Sequence, residues 1–331
     1  MRPPEFWYTA PDRPSLAARL LQPLGWMYGQ ATALRVARQA SVRLPVPVIC
    51  VGNLHAGGTG KTPTVMAVVS ALSDMFEKPH IVTRGYGGRF KGPLRVDPAR
   101  HTADDVGDEP LLLAAFADVW VSKDRAAGGR AAMEAGASVV VLDDGFQNPA
   151  LHKDFSIVVV DVAQGFGNGR CVPAGPLREP VAVGLARADA LLSIGNPAAQ
   201  TGFDAQVGPD KLPRFSAALA PLQTGMDWSG ARVYAFAGIG YPEKFFTTLR
   251  ELGADLVHAE ALDDHQPLSS TLMSRLDTDA KRHRAQLVTT EKDAVRLPAK
   301  FRRQIITLPV RLQFDDNGEA FNQALNSVLR G

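Results

Sequence analysis

The stretch from His55 to Thr62, HAGGTGKT, places three glycines, a lysine and a threonine side by side. Those types suit one task, the holding of phosphate groups. Gly57, Gly58 and Gly60 let the backbone approach an anion closely and adopt positive φ. Their amides and the helix N-terminus then face the anion, with His55, Ala56 and Thr59 completing the expected nucleotide-binding loop. Lys61 is placed to neutralise β- and γ-phosphate charge, and Thr62 to offer its hydroxyl to Mg2+. The usual spacing, G-x-x-x-x-G-K-[ST], has glycine where this chain has His55. The local form is close to the variant loops of switch ATPases, which often carry a lysine where this chain has Ala56. The competing explanation is a glycine-rich turn with a chance Lys-Thr.

Further carboxylates sit at positions that suit the same chemistry. Asp143 and Asp144 follow the apolar run Ser138–Leu142, where an acid beside a phosphate loop holds Mg2+. By itself an Asp-Asp-Gly is more often a turn. Asp108 and Glu109 precede Pro110 and an apolar run, so Asp108 reads as a helix cap or as a base that orients an acceptor hydroxyl. His265, within DDHQP, is either a solvated loop histidine or the partner of a carboxylate. Arg84 and Tyr86, Lys123 to Arg125, and Arg178 with Glu179 all follow expected strands. Ligands of open α/β sheets bind beyond the carboxyl ends of the strands, and several cations there suit a phosphorylated substrate.

The elements that must position these residues repeat a simple rhythm. Buried strands are expected at Val46–Val51, His80–Thr83, Val119–Ser122, Ser138–Leu142, Ser156–Asp161 and Ala190–Ile194. Their apolar runs are continuous rather than alternating, which favours a parallel sheet covered on both faces. Helices are expected at Lys61–Met75, Glu109–Ala117 and Arg125–Ala135. This is the α/β pattern of a P-loop NTPase-like core, assigned to residues 45–222. After the turn-rich stretch from Pro221 to Gly230 the rhythm restarts, with strands at Val233–Ala237, Asp255–Ala259, Gln286–Thr290 and Gln304–Leu308. Helices are expected at Glu243–Leu252, Ser270–Ala280 and Glu319–Leu329, giving a smaller α/β domain over 223–331.

Residues 1–44 differ from both. Leu16, Leu20, Leu24, Met27, Tyr28, Ala31 and Leu34 share one stripe of a helix, and Arg2, Arg13, Arg19, Arg35, Arg38 and Arg43 face only Glu5 and Asp12. Such a helix either packs on the core, with Pro23 bending it, or lies on an anionic bilayer. The chain has 331 residues, is 45% hydrophobic and carries a net charge of +2, so nothing in its overall balance calls for a nucleic acid. Cys50 and Cys171 lie far apart, without metal spacing, which fits a reducing compartment. No secretory signal and no membrane-spanning run are expected.

Taken in order, GNLHAGGTGKTP (52–63), RGYGG (84–88), GDEP (107–110), SKDR (122–125), LDDGFQ (142–147), GPLREP (175–180), DDHQP (263–267) and TTEKDAVR (289–296) run almost to the C-terminus. The chain resembles the tetraacyldisaccharide 4′-kinase family of lipid A synthesis over nearly its whole length. Gly88 stands where that family commonly has arginine. The resemblance implies transfer of the ATP γ-phosphate to the 4′-hydroxyl of an acylated disaccharide 1-phosphate, forming lipid IVA. It implies Asp108 as base with His265 as its partner from the second domain. It further implies Mg2+ held by Thr62, Asp143, Asp144 and Glu179. Substrate contacts would come from Tyr86, Glu109, Arg125, Gln147 and Arg178. It also favours the N-terminal helix as a peripheral anchor on the cytoplasmic face of the bacterial inner membrane, with no protein partner required. The rival reading is a P-loop switch ATPase acting on a protein partner.

Overall fold

The computed structural model describes residues 3–37, 42–207 and 212–330. Arg2 and Arg38, counted above in the basic N-terminal segment, lie outside the described residues.

Two sheets organise the chain. The large one is built from β1 (Val48–Gly52), β2 (Pro79–Thr83), β3 (Leu94–Arg95), β4 (Asp118–Val121), β5 (Val139–Asp143), β6 (Phe155–Asp161), β7 (Ala190–Ile194) and β8 (Arg214–Pro221). The small one holds β9 (Arg232–Ala237), β10 (Asp255–Ala261), β11 (Gln286–Thr290) and β12 (Ile306–Leu308), after which β13 (Val310–Phe314) crosses back to the large sheet. The strand order is β13-β8-β7-β6-β1-β5-β2-β4-β3 in the large sheet and β10-β9-β11-β12 in the small. Pairings are parallel throughout except at the two margins, where β13 runs against β8 and β3 against β4.

The helices of the first part are α1 (Leu16–Val36), α2 (Lys61–Asp74), α3 (Ala103–Val106), α4 (Asp108–Leu113), α5 (Arg125–Glu134), α6 (Val181–Leu185) and α7 (Pro197–Val207). Around the small sheet lie α8 (Pro242–Glu251), α9 (Ser270–Arg282) and α10 (Glu291–Ala294), and α11 (Glu319–Arg330) closes the chain. Strands β1, β2, β5 and β7 are buried at every position, which is why their apolar runs are unbroken. Helix α2 lays Val65, Val69 and Leu72 on Ile49, Val51 and Val141, each such burial stabilising by roughly 1.5–3 kcal/mol. In the small sheet the alternation of β9 sends Tyr234 and Phe236 toward Met273 and Leu276 of α9, and Val233 and Ala235 toward Phe245 and Leu249 of α8.

The stretch expected as one unit from 223 to 331 is thus divided in its sheet membership. β13 pairs with β8, and α11 buries Phe321 and Leu325 in the large sheet's core, with Phe321 edge-on to Phe215 at 5.3 Å between ring centroids. The expected strand starting at Val46 starts at Val48 instead, since Pro47 has no amide to give a ladder. Helix α4 ends at Leu113, short of the expected Ala117.

Helix α1 runs as one helix through Pro23 and packs by its small residues. Ala18, Gly25, Gly29 and Thr32 are its buried positions. A Cβ on Gly25 would stand 2.7 Å from the carbonyl oxygen of Cys171, so the close approach to the 171–180 loop requires glycine. The apolar stripe faces outward, with Leu16, Leu20 and Leu34 more than 70% exposed and Trp26 62% exposed. Among the described residues no helix is long and apolar enough to cross a membrane.

Candidate active site

The chain order of the large sheet reverses around β1, with β5 on one side and β6 on the other, and the crevice opens at the carboxyl ends of these strands. The loop after β1 enters α2 through Gly60, whose φ is 93°. A Cβ there would lie 2.5 Å from Cδ1 of Ile194, so the left-handed turn and the packing both demand glycine. Asn53, absent from the expected site, shapes the loop from behind. Its side-chain amide donates to the carbonyl of Gly57 at 3.0 Å and to Oγ1 of Thr59 at 2.9 Å. Its marks in the sequence are its place in GNLHAGGTGKTP and its polarity at the end of a buried strand.

His55 shows why a side chain is tolerated at the first position of the loop. It is buried, its backbone bridges Leu177, and its Nε2 lies 2.8 Å from the carbonyl of Gly165. Burial holds its pKa below the ordinary histidine value, so the neutral ring donates from Nε2. Gly57 and Gly58 are exposed, with open space where a side chain would be.

Two acids terminate β5 beside this loop. Asp143 is buried and accepts a hydrogen bond from Thr83 Oγ1 at 2.9 Å. Burial, reinforced by Glu109 and Asp144 nearby, pushes its carboxyl up to about 7. Asp144 stands 2.8 Å from Arg178 and 3.6 Å from Lys61. Burial opposes its ionisation, but Lys61 and Arg178 hold its pKa below the usual carboxylate value. Arg178 also reaches Oε1 of Gln147 at 3.3 Å, and Gln147 donates to Oε1 of Glu179 at 2.9 Å. Glu179 is fully buried and paired with Arg187 at 2.6 Å. It joins Asp144 only through Gln147 and Arg178.

A second polar cluster is assembled across the two sheets. Asp108 does not cap α4. Gly107, with φ 92°, takes that position, and Asp108 is the first helical residue, its Oδ1 accepting the Glu109 amide at 2.9 Å. The Asp108 carboxylate is buried, with Oδ2 at 2.9 Å from Nδ1 of His265 and 3.7 Å from Nε of Arg296. Burial works against its charge, but the His265 hydrogen bond and Lys292 keep its pKa below the ordinary value. The Asp108 bond in turn raises His265. Arg296 also donates to the carbonyls of Gln266 and Gly238 at 2.8 and 3.1 Å, bracing the histidine's loop. Lys292 and Arg296 were not foreseen as site residues, although TTEKDAVR contains both.

The remaining expected residues divide. Glu109 faces the phosphate loop, its Oε1 3.4 Å from Thr62 Oγ1 and 3.5 Å from Lys292. Tyr86 is 71% exposed, its ring 5.9 Å from that of His265. Arg125 is buried under the site, donating to the carbonyls of Ser122 at 2.5 Å and Asp143 at 3.4 Å. Two of its guanidinium nitrogens are committed to backbone, so it supports Asp143 from below rather than facing solvent.

The chain as a whole has known relatives. The family model for tetraacyldisaccharide-1-phosphate 4′-kinase matches residues 17–330. The chain belongs to the tetraacyldisaccharide-1-phosphate 4′-kinase family. It is similar to the tetraacyldisaccharide 4′-kinase of Dinoroseobacter shibae, with 60% identity over 99% of this chain and 98% of that one. The enzyme of the same name from Jannaschia is 56% identical over 99% of both chains. Among solved structures, LpxK from Aquifex aeolicus in complex with ATP superposes with a TM-score of 0.78 at 27% identity, covering 95% of this chain and 100% of that one. Membership in this kinase family sets aside the switch-ATPase reading.

Proposed function

We propose that this kinase transfers the γ-phosphate of ATP to the 4′-hydroxyl of a tetraacyldisaccharide 1-phosphate, with Asp108 as the base. The observation that carries the reading is the Asp108–His265 pair at 2.9 Å, one residue along the chain from Glu109, which touches the threonine of the phosphate loop. His55 and Ala56, expected in the cradle, are engaged elsewhere, the Ala56 amide donating to the carbonyl of Pro176 at 2.8 Å, so an acceptor hydroxyl beside Asp108 would lie close to a phosphate held by residues 57–62. Phosphoryl transfer is loose enough that a carboxylate mainly orients the hydroxyl and takes its proton as the bond to phosphorus forms. Family membership supports the same donor and acceptor.

The residues present fit a magnesium ion. Asp143 is a hard oxygen donor whose burial among carboxylates leaves its proton held to about 7, a strain that a divalent cation relieves. Among the described residues no three acids or histidines form a complete metal cage, and Mg2+ commonly takes one or two carboxylates together with substrate phosphates. Thr62 and Asp143 would hold it, with Asp144 beside them. Bound there, Mg2+ supplies neutralisation of phosphate charge. Glu179, expected among the metal acids, is assigned instead to positioning Gln147 and Arg187, because both of its oxygens are engaged.

The outward stripe of α1, flanked by exposed Arg19 and Arg35, supports peripheral docking on an anionic bilayer. The acylated acceptor resides in such a bilayer, which favours the cytoplasmic face of the inner membrane as the working place. The reading is tested by incubating the protein with γ-labelled ATP and tetraacyldisaccharide 1-phosphate in mixed micelles. Label is expected on the lipid, at the 4′ position. Label released only as inorganic phosphate would reject it.

A further inference from the structure

Lys292 occupies the seam between the two halves of the site. Its Nζ lies 3.3 Å from Nε2 of His265, 3.5 Å from Oε1 of Glu109 and 3.8 Å from Oδ1 of Asp264. The side chain is held there by α10, which starts at the carboxyl end of β11 with Thr290 as its cap, Oγ1 accepting from the amide of Asp293. Asp293 is itself fully buried and receives the Gly238 amide at 3.1 Å, so the base of the lysine is anchored.

The ring between Lys292 and Asp108 has little freedom of protonation. A lysine ammonium only donates, so the nitrogen it faces must present a lone pair. A carboxylate only accepts, so the Nδ1 that faces Asp108 at 2.9 Å must carry a proton. Both neighbours are satisfied together only by the neutral imidazole protonated at Nδ1. We propose that Lys292 is a positioning residue that holds His265 in this neutral form, leaving Asp108 as the free carboxylate that receives the acceptor's proton. In that step the hydroxyl oxygen bonds to the γ-phosphorus, its proton passes to Asp108, and the bridging oxygen leaves with ADP.

The groups facing His265 set the balance. Asp108 and Asp264, at 2.9 and 3.7 Å, favour the imidazolium. Lys292 opposes it, Arg296 sits behind Asp108, and the Tyr86 ring lies alongside. On balance the histidine's pKa is raised, chiefly by the Asp108 bond, with burial and Lys292 pulling against that rise. Protonation would set two cations 3.3 Å apart, and the lysine would turn to Glu109 and Asp264. An imidazolium clamped on Asp108 would in turn weaken that carboxylate as a proton acceptor.

The inference rests on the reading of Asp108 as base, and it is tested by a signal that does not depend on turnover. Full-length protein labelled with 15N-histidine is titrated by NMR, with His265→Gln to assign the ring. The comparison is between wild type, Lys292→Met and Lys292→Arg. The wild type is expected to show the Nδ1–H tautomer at pH 8. In Lys292→Met the His265 titration moves up by about one pH unit, the effect of losing a neighbouring like charge. The acid limb of kcat/KM moves with it, kcat falls while the KM for ATP holds within about twofold, and Lys292→Arg restores both. An Nε2–H tautomer in the wild type, or an unmoved titration in folded Lys292→Met, would overturn the inference. Failure of the base reading looks different: Asp108→Ala would then turn over at the wild-type rate while the Lys292→Met spectra still shifted.

Discussion

Nδ1 of His265 lies 2.9 Å from Oδ2 of Asp108, although one residue follows a strand of the small sheet and the other begins a helix on the large one. His265 adopts φ 58° to reach it, in the left-handed region that few non-glycine residues occupy. Arg296 donates to the carbonyls on both sides of this loop, at Gly238 and Gln266. The pair joins the two sheets, and it is the pair proposed to handle the acceptor hydroxyl.

Its pH dependence has a definite sign. The His265 pKa is raised by Asp108, so the histidine's contribution is complete below the ordinary histidine pKa and fades as pH rises through the folded one. Asp108 is lowered, so its contribution is present above the ordinary carboxylate pKa and is lost only as pH falls through the folded one. His265→Gln should therefore destabilise the protein more at pH 5.5 than at pH 8.5. Urea midpoints at the two pH values check this, and equal losses would refute it.

Gly60→Ala should damage the phosphate loop in two separable ways. A left-handed conformation costs an L-residue roughly 1–2 kcal/mol. The added methyl also meets Cδ1 of Ile194, 2.5 Å from an ideal Cβ. Melting temperature and ATP affinity should both drop, and adding Ile194→Ala should recover part of the loss but not the backbone share. Complete recovery in the double variant would show that the left-handed turn is dispensable.

Magnesium activation should weaken as the solution is acidified. A cation at Asp143 displaces a proton that burial holds to about 7. The Mg2+ concentration for half-maximal rate should rise steeply below neutrality and level off above pH 8. Asp143→Asn should abolish that pH dependence along with most of the rate. A flat magnesium requirement from pH 6 to 9 would exclude Asp143 as a ligand.

Leu20→Asp combined with Leu24→Asp should strip the protein from anionic vesicles. Both side chains are exposed, so folding stability should stay within about 0.5 kcal/mol. Losing two buried leucines from a bilayer should cut partitioning roughly a hundredfold or more. Sedimentation with vesicles checks the first effect and thermal melting the second. Unchanged sedimentation would show that α1 does not dock.

How much of this was legible in the sequence depended on whether the signal was local. The phosphate loop, the acids closing β5 and the buried strands are contiguous patterns, and they appear where expected. β13 pairs antiparallel with β8, from Val310 opposite Pro221 to Phe314 opposite Ala217, and no local spacing encodes such a pairing. β8, near the margin of the sheet, alternates only weakly along RFSAALAP and carries no clear strand signal in its sequence. The stripe on α1 was visible, but which face turns inward is decided by Ala18, Gly25, Gly29 and Thr32. Their value is close approach, which hydrophobicity does not register. Asn53, Lys292 and Arg296 act through contacts made only once the chain is folded, and α10 is too short to show a period.

The central claim concerns the acceptor, and Asp108→Ala measures it directly. Turnover with ATP and tetraacyldisaccharide 1-phosphate should fall by about 100-fold or more, as for the loss of a general base, while ATP affinity stays within a few-fold. The phosphate loop touches Asp108 only through its neighbour Glu109, so nucleotide binding has no reason to fail. A variant that keeps a near wild-type rate would contradict the account.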